Sequence, residues 1–130
     1  MKTTILVDND AREGLGCEWG FSALIETDDA TILLDSGASG LFAQNAQVLG
    51  VDLADVDYCV LSHAHFDHAD GFGDFFAIND HAPLLIRSSC EETCWSDAKG
   101  DMKYIGIQRG LLEQQASRIE RVDGALQFAP

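Results

Sequence analysis

The chain has few basic residues. Only 8 Lys and Arg stand against 22 Asp and Glu in 130 residues, which gives a formal charge of −14 at pH 7. Proteins that bind nucleic acid draw much of their affinity from Lys and Arg side chains that neutralise phosphates. The composition therefore argues against a nucleic-acid partner. The acids are mostly scattered along the sequence, which is typical of solvated faces and turns.

Long hydrophobic runs are also lacking. No uninterrupted apolar stretch approaches the roughly 18 to 20 residues of a membrane span. Residues 1–8, MKTTILVD, have the pattern of a strand rather than of a signal peptide. These features predict a cytoplasmic protein without a membrane partner. A chain of this length suits one domain, which hides roughly two-thirds of its unfolded surface.

Cysteine is scarce and irregularly spaced, so the four thiols do not indicate a disulfide framework. Cys59 lies in an apolar strand pattern, where a small buried thiol is common. Cys90 and Cys94 form a Cys-x-x-x-Cys pair on a predicted helix, but a zinc knuckle would need another pair nearby. Cys17 is predicted to be an exposed loop thiol.

Phosphate-binding loops are missing as well. Residues 14–16, GLG, lack the third glycine and the strand-to-helix setting of a dinucleotide fingerprint. Residues 35–40, DSGASG, lack the lysine of a P-loop. Both stretches are therefore predicted to be turns.

The positive signal is the sequence SHAHFDH at residues 62–68, which holds three of the four histidines. In an extended segment His63 and His65 project to the same side and can chelate one ion. The turn predicted after His68 re-aims Asp67 and His68, which could hold a second ion. Imidazole with carboxylate suits zinc, with manganese or iron as alternatives. The competing interpretation is a solvated histidine-rich loop, which the apolar run before it disfavours.

Hydrophobic periodicity predicts an α/β chain that begins with an antiparallel sheet. Strands are predicted at 4–7, 21–27, 31–34, 56–61 and 83–87, and helices at 41–49 and 70–78. Weaker signals predict a strand within 102–107 and a short helix at 111–115. The histidine loop follows the strand at 56–61, at the carboxyl end where α/β folds tend to place their chemistry.

These segments carry a family resemblance. The strand YCVLS at 58–62, followed by HAHFDHADG at 63–71, resembles the signature of the metallo-β-lactamase-fold hydrolases. GFSALIE at 20–26 and ILLDSG at 32–37 resemble the opening strands of that family and its Asp-Thr-Gly turn. Ser36 replaces the usual threonine of the turn.

Within that superfamily the chain resembles the branch known as dihydropterin ribofuranosyl-aminobenzene phosphate synthase-like. The likeness rests on EWGFS at 18–22, on Asn45-Ala46 before LGVDL at 49–53, and on KYIG at 103–106. The branch name does not fix a substrate.

The resemblance implies a fold. A complete member packs two similar lobes into an αββα sandwich, and residues 1–130 match the N-terminal lobe alone, an α/β (α+β) unit. We expect a mixed, mostly antiparallel sheet with helices on one face and no second lobe. That lobe normally supplies a third histidine, a bridging acid and a last histidine. After His68 only His81 remains, and its setting indicates a surface turn. A homodimer or larger oligomer could supply the missing lobe.

The resemblance also implies a function. His63, His65, Asp67 and His68 would hold one or two metal ions, zinc in the first instance. A bound ion lowers the pKa of a water toward ~7, so that hydroxide attacks an ester, phosphoester or related bond of a small molecule. Asp67 would be the catalytic group that orients or deprotonates the water. The alternative is a non-catalytic metal-binding or interaction module that retains the loop.

Asp35 follows an apolar strand and, by the same resemblance, lies near the loop. It would hydrogen-bond a metal-bound histidine, orienting the imidazole and raising its basicity. A simple turn or helix cap is the equal alternative.

Overall fold

The computed structural model describes residues 1–127, so the last three residues of the predicted lobe, 128–130, lie outside the described part. The strands are β1 (Lys2–Val7), β2 (Ser22–Glu26), β3 (Thr31–Leu34), β4 (Tyr58–Val60), β5 (Leu84–Arg87), β6 (Trp95–Ser96), β7 (Lys103–Tyr104) and β8 (Ile119–Val122). The α-helices are α1 (Leu41–Val48), α2 (Phe66–Ala69), α3 (Phe72–Ile78) and α4 (Leu111–Gln114). Within residues 1–127 no helix is long and apolar enough to cross a bilayer.

Six strands form one mixed sheet in the order β1-β2-β3-β4-β5-β8, and β6 pairs with β7 as a separate hairpin. The pairs β1/β2 and β2/β3 are antiparallel. The remaining pairs β3/β4, β4/β5 and β5/β8 are parallel. The predicted α/β class and mixed sheet are confirmed, but the sheet is not mostly antiparallel, because three of its five strand pairs are parallel. The parallel half begins where α1 carries the chain across the sheet from β3 to β4, as parallel pairing requires.

Three local predictions differ from the structure. The helix predicted at 70–78 corresponds to α3, which begins two residues later, and the short helix α2 before it was not predicted. Between α2 and α3, a Cβ on Gly71 would lie 2.1 Å from the carbonyl oxygen of Ser36, two residues after β3, so the backbone passes too close for any side chain there. Cys90 and Cys94 lie in an irregular segment between β5 and β6, so the helix predicted for them is wrong. The parallel edge strand β8 was not predicted.

One face of the sheet forms the hydrophobic core. The sheet residues Leu24, Leu33, Cys59 and Leu84 follow one another across adjacent strands and are at most 2% exposed. Four helical side chains join the same cluster: Phe42, Ala46, Phe72 and Phe75. Burial of these side chains supplies the main favourable free energy of the fold, at roughly 1.5 to 3 kcal/mol for each large apolar group.

The other face of the sheet is also apolar. The strand register aligns a band across five strands: Ile5, Ala23, Leu34, Val60 and Leu85. Ile5 is 45% exposed, and Leu34 and Val60 are partly exposed. We call this row the apolar band. A two-faced apolar sheet is typical of folds in which both faces are covered.

Asn79 connects the elements on either side of β4. It is buried, and its Nδ2 donates to the carbonyl oxygens of Leu53 (3.1 Å) and Val56 (2.9 Å). Its Oδ1 accepts from the backbone N–H of His81 (3.0 Å) and Ala82 (2.8 Å). The segment that enters β4 is thereby fixed to the segment that enters β5.

We expect Asn79→Ala to lower the free energy of unfolding by about 3 kcal/mol, because it leaves several buried backbone groups without partners. Urea denaturation followed by circular dichroism measures the change. Gln47→Ala, at an exposed position of α1, is the matched control and should change stability by less than about 0.5 kcal/mol. Equal midpoints for the two variants would contradict this role of Asn79.

Candidate metal centre

The histidine loop leaves the carboxyl end of β4 beside the carboxyl end of β3. Leu61 N–H still donates to the carbonyl oxygen of Leu85, at 3.1 Å. Residues 62–65 then turn across the top of the sheet, and α2 begins at Phe66. The ends of β3 and β4 meet here because the two strands are parallel neighbours. This edge of the sheet is where α/β proteins commonly bind ligands.

Asp35 is a buried residue at this edge, 1% exposed, and its carboxylate has several hydrogen-bond partners. Its Oδ1 accepts from the backbone N–H of Ser62 at 2.7 Å, and its Oδ2 accepts from the Ser62 hydroxyl at 2.6 Å. The same Oδ2 lies 2.7 Å from Nδ1 of His68. Asp35 has a φ of 56°, the only positive φ of a non-glycine residue within 1–127. Strained backbone of this kind is found preferentially at functional sites.

The turn after Asp35 also holds the backbone of α2. Ser36 N–H donates to the carbonyl oxygen of His68 at 2.8 Å. On the other side of the helix, Phe21 N–H donates to the carbonyl oxygen of Asp67 at 3.1 Å. The position of α2 is therefore set by main-chain hydrogen bonds as well as by the Asp35 carboxylate.

The four predicted ligand residues lie together above Asp35. The ring centroid of His63 is 4.7 Å from that of His65 and 4.2 Å from that of His68. Nε2 of His68 is 3.8 Å from Oδ2 of Asp67. Nδ1 of His68 is hydrogen-bonded to Asp35, so the other ring nitrogen, Nε2, is the one that faces Asp67.

His63 is held in its neutral form. Partial burial is the main cause that lowers the pKa of His63, and the neighbouring His68 and His65 lower it further. Asp35 and Asp67 oppose the change. A neutral imidazole has a free lone pair, which is the form that binds a metal ion.

The donor types fit a divalent transition metal, but the arrangement is incomplete. Within residues 1–127, no three His, Cys, Asp or Glu side chains form a group that could hold a metal ion by themselves. His81 does not contribute, because it lies in an exposed turn with its Nδ1 3.3 Å from Asp80. The ligand roles of His63, His65, Asp67 and His68 therefore stay predictions.

Sequence reasoning missed the hairpin of β6 and β7 as a support of the loop. Gly106, after β7, forms an antiparallel bridge with His65. Phe66 N–H donates to the carbonyl oxygen of Ile105 at 3.0 Å, and Ile107 N–H donates to that of Ala64 at 2.7 Å. These contacts join residues about forty positions apart and involve backbone atoms only. No side-chain pattern in the sequence therefore predicts them.

The comparisons with known proteins agree with this fold. The family model of the metallo-β-lactamase superfamily matches residues 16–124. A curated relative, the uncharacterized protein MJ0448 of Methanocaldococcus jannaschii, is 35% identical over 111 residues, which cover 84% of this chain and 41% of the relative. The chain thus spans less than half the length of that relative.

Solved structures share the fold. Tm1679, described as a metal-dependent hydrolase of the β-lactamase superfamily, superposes with a TM-score of 0.68 at 23% identity, covering 94% of this chain and 42% of Tm1679. The Rm3 metallo-β-lactamase superposes with a TM-score of 0.59 at 20% identity, covering 88% of this chain and 43% of Rm3. At these identities the likeness shows the fold alone.

We expect neutral His68 to carry its proton on Nδ1, because that N–H donates to Asp35. In Asp35→Asn the amide can donate as well as accept, so the Nδ1–H form should lose its preference. Proton–nitrogen correlation spectra of the metal-free protein report the tautomer directly. Asp67→Asn is the control and should leave the tautomer unchanged, because Asp67 faces the other nitrogen. A proton on Nε2 in the unmodified protein would contradict this assignment.

Proposed function

The chain belongs to the metallo-β-lactamase superfamily, and from this premise we propose that it provides the ligand loop of a metal-dependent hydrolase acting on a small molecule. The observation that carries the proposal is the convergence of His63, His65, Asp67 and His68 above the buried carboxylate of Asp35. A histidine-rich surface loop without a function would have no need of a buried acid that fixes one of its rings.

The proposed ligands are the imidazoles of His63, His65 and His68 and the carboxylate of Asp67. This mixture of nitrogen and oxygen donors suits zinc best, with manganese or iron as alternatives. His63 and His65 would bind one ion, and Asp67 and His68 would bind the same ion or a second one. The sphere must be completed by groups outside those four.

A divalent ion bound here would act as a Lewis acid that lowers the pKa of a water and polarises the bond to be hydrolysed. Asp67, at the edge of the ligand set, is placed to accept the proton of that water and to orient it. Asp35 holds the His68 ring through Nδ1 and keeps Nε2 available, which also raises the basicity of that nitrogen. Ester, phosphoester and related bonds are the proposed substrates.

One observation favours a second candidate function. Because the described residues do not complete a metal site, the loop could hold an ion for structure or for assembly with a partner, without turnover. The two candidates differ in a measurable way. Both require metal bound through the loop, and only the hydrolase requires that the bound metal turn substrate over.

We further propose that a second copy of the chain covers the apolar band and completes the site. The sheet already has one face against its helices, and the opposite face offers a registered apolar row. Ala23 and Leu85 of this row are already buried, and Ile5, Leu34 and Val60 are its exposed or partly exposed members. Exposed apolar side chains that lie together in this way are characteristic of interfaces. A two-fold pair would place two similar lobes face to face, since the same patch meets itself in such an interface.

We expect His65→Ala to weaken zinc binding by more than about tenfold, because even residues that only orient a ligand cost 10- to 100-fold when removed. The affinity is measured by competition with a chromophoric chelator, and the zinc content by elemental analysis. Turnover of 4-nitrophenyl acetate and bis(4-nitrophenyl) phosphate is measured on the same samples. His81→Ala removes the fourth histidine, outside the loop, and should leave both properties unchanged.

Three outcomes decide between the functions. Zinc binding with turnover, both lost in His65→Ala, supports the hydrolase. Zinc binding without turnover supports the binding module. Equal zinc binding by His65→Ala, His81→Ala and the unmodified protein would refute the proposed site itself.

We expect the protein to sediment as a dimer, and Ile5→Glu to shift it toward monomer by placing a charge in the apolar band. Val48→Glu makes the same kind of change at an exposed position of α1, away from the sheet, and should leave the dimer intact. Analytical ultracentrifugation at micromolar concentration measures the effect. A well-folded monomer under these conditions would exclude the second copy as the source of the further ligands.

A further inference from the structure

A cleft lies between α2, which follows the histidine loop, and the β6–β7 hairpin. Its lining residues are Phe66, Asp70, Lys103, Tyr104, Gly106, Gln108 and Arg109, and its volume is about 500 Å³. We call it the hairpin cleft. This volume is in the range of small-molecule sites, roughly 300 to 1,000 Å³.

Backbone contacts fix the position of the hairpin cleft relative to the histidine loop. The His65–Gly106 bridge and the hydrogen bond from Phe66 N–H to Ile105 form one wall. Gln108 N–H donates to Oδ1 of Asp70 at 2.7 Å and connects the segment after β7 to the end of α2. A molecule held in the hairpin cleft would therefore lie next to the loop that we propose binds metal.

The side walls of the hairpin cleft are aromatic. Phe66 lines the hairpin cleft and is 38% exposed, so part of its ring is accessible to a ligand. Tyr104 is held rigidly, because its hydroxyl donates to the carbonyl oxygen of Ile107 at 2.6 Å. A Cβ on Gly106 would come within 2.6 Å of the Tyr104 hydroxyl oxygen, so the glycine allows the ring to lie flat on the backbone. These rings can pack against a planar group of a ligand.

A cation is fixed at the mouth of the hairpin cleft. The guanidinium carbon of Arg109 lies 4.2 Å from the ring centroid of Tyr104 and 5.2 Å from that of Trp95. Stacking holds the guanidinium in place while its N–H donors stay free for planar acceptors. Within residues 1–127 neither Arg109 nor Lys103 makes a salt bridge. Two unpaired cations in one cleft stand out in a chain with only 8 Lys and Arg.

The nearby acids do not cancel this charge. Asp70 has one carboxylate oxygen engaged by the backbone N–H of Gln108. Glu92 accepts a hydrogen bond from Gly110 N–H at 2.8 Å and is not among the lining residues. The charged residues that line the hairpin cleft are therefore two cations, Lys103 and Arg109, and one acid, Asp70.

We propose that the hairpin cleft binds an aryl anion: a planar aromatic group that carries a carboxylate or phosphate. The ring packs against Phe66 and the edge of Tyr104, since Gly106 and the Arg109 guanidinium cover the faces of Tyr104, and the anionic group receives hydrogen bonds from Arg109 with support from Lys103. Binding in the hairpin cleft does not itself require metal. Its use as the pocket for the non-reacting part of the substrate rests on the proposed hydrolase function.

Trp95 gives a readout that is independent of activity, because it contacts the Arg109 guanidinium. The other tryptophan, Trp19, is 71% exposed and is removed by Trp19→Phe. In that background, phenyl phosphate should change the Trp95 fluorescence saturably, both in chelator-treated and in zinc-loaded protein. Cyclohexyl phosphate, whose ring is not aromatic, and phenol, which has no anionic group, should both bind more weakly.

Two variants and one control test the assignment of the contacts. Arg109→Gln should weaken phenyl phosphate binding about tenfold, because it removes charged hydrogen bonds. Lys103→Gln should weaken it by about threefold, as befits an exposed charge. Lys99→Gln makes the same change in the exposed turn of the same hairpin and should have no effect. Circular dichroism verifies that each variant is folded.

The outcomes separate this proposal from the proposed function. Saturable binding that depends on Arg109 in metal-free protein supports the hairpin cleft even if no hydrolysis is found. No saturable fluorescence change, or an equal loss in Lys99→Gln and Arg109→Gln, overturns the hairpin cleft even if zinc-dependent hydrolysis is found. Equal affinity for phenyl phosphate and cyclohexyl phosphate overturns the aromatic part of the proposal.

Discussion

The buried carboxylate of Asp35 is the contact on which the histidine loop depends. It lies at the end of β3, receives two hydrogen bonds from Ser62 and meets Nδ1 of His68. One side chain thus fixes both ends of the loop, the residue where it leaves β4 and the ring that closes it. Burying an acid without such partners would cost several kcal/mol, so the contacts and the burial require each other. The left-handed backbone of Asp35 is consistent with a position set by this network rather than by local preference.

The relation between β3 and β4 explains where the histidine loop lies. Parallel pairing brings two carboxyl ends to the same edge, so a turn after one strand meets a loop after the next. On the sheet face below, Leu33 and Cys59 pack into the core and hold the two strands in register. The position of the loop is therefore set by a rigid part of the sheet, which is the kind of support that a functional site needs.

Local sequence patterns predicted much of the fold and of the ligand loop. The strands before residue 35, α1 and the loop itself follow period-two and helical patterns with clear turn residues. The missed strand β8 has the sequence IERV. Its two central residues are charged, so it lacks the apolar pattern of a buried strand, and it forms at the edge of the sheet by pairing with β5. The division between α2 and α3 depends on the close approach of Gly71 to Ser36, a contact between distant segments. The hairpin cleft is likewise created by backbone bridges, which leave no side-chain pattern.

X-ray absorption spectroscopy of the zinc-loaded protein would show whether the imidazoles of the histidine loop bind a metal ion. If they do, we expect nitrogen and oxygen scatterers at about 2.0 to 2.2 Å, together with the outer scattering of at least two imidazole rings. A shell of sulfur at about 2.3 Å would instead place the ion on cysteine thiolates such as Cys90 and Cys94. That result, or a spectrum without imidazole scattering, would rule out metal binding through the loop.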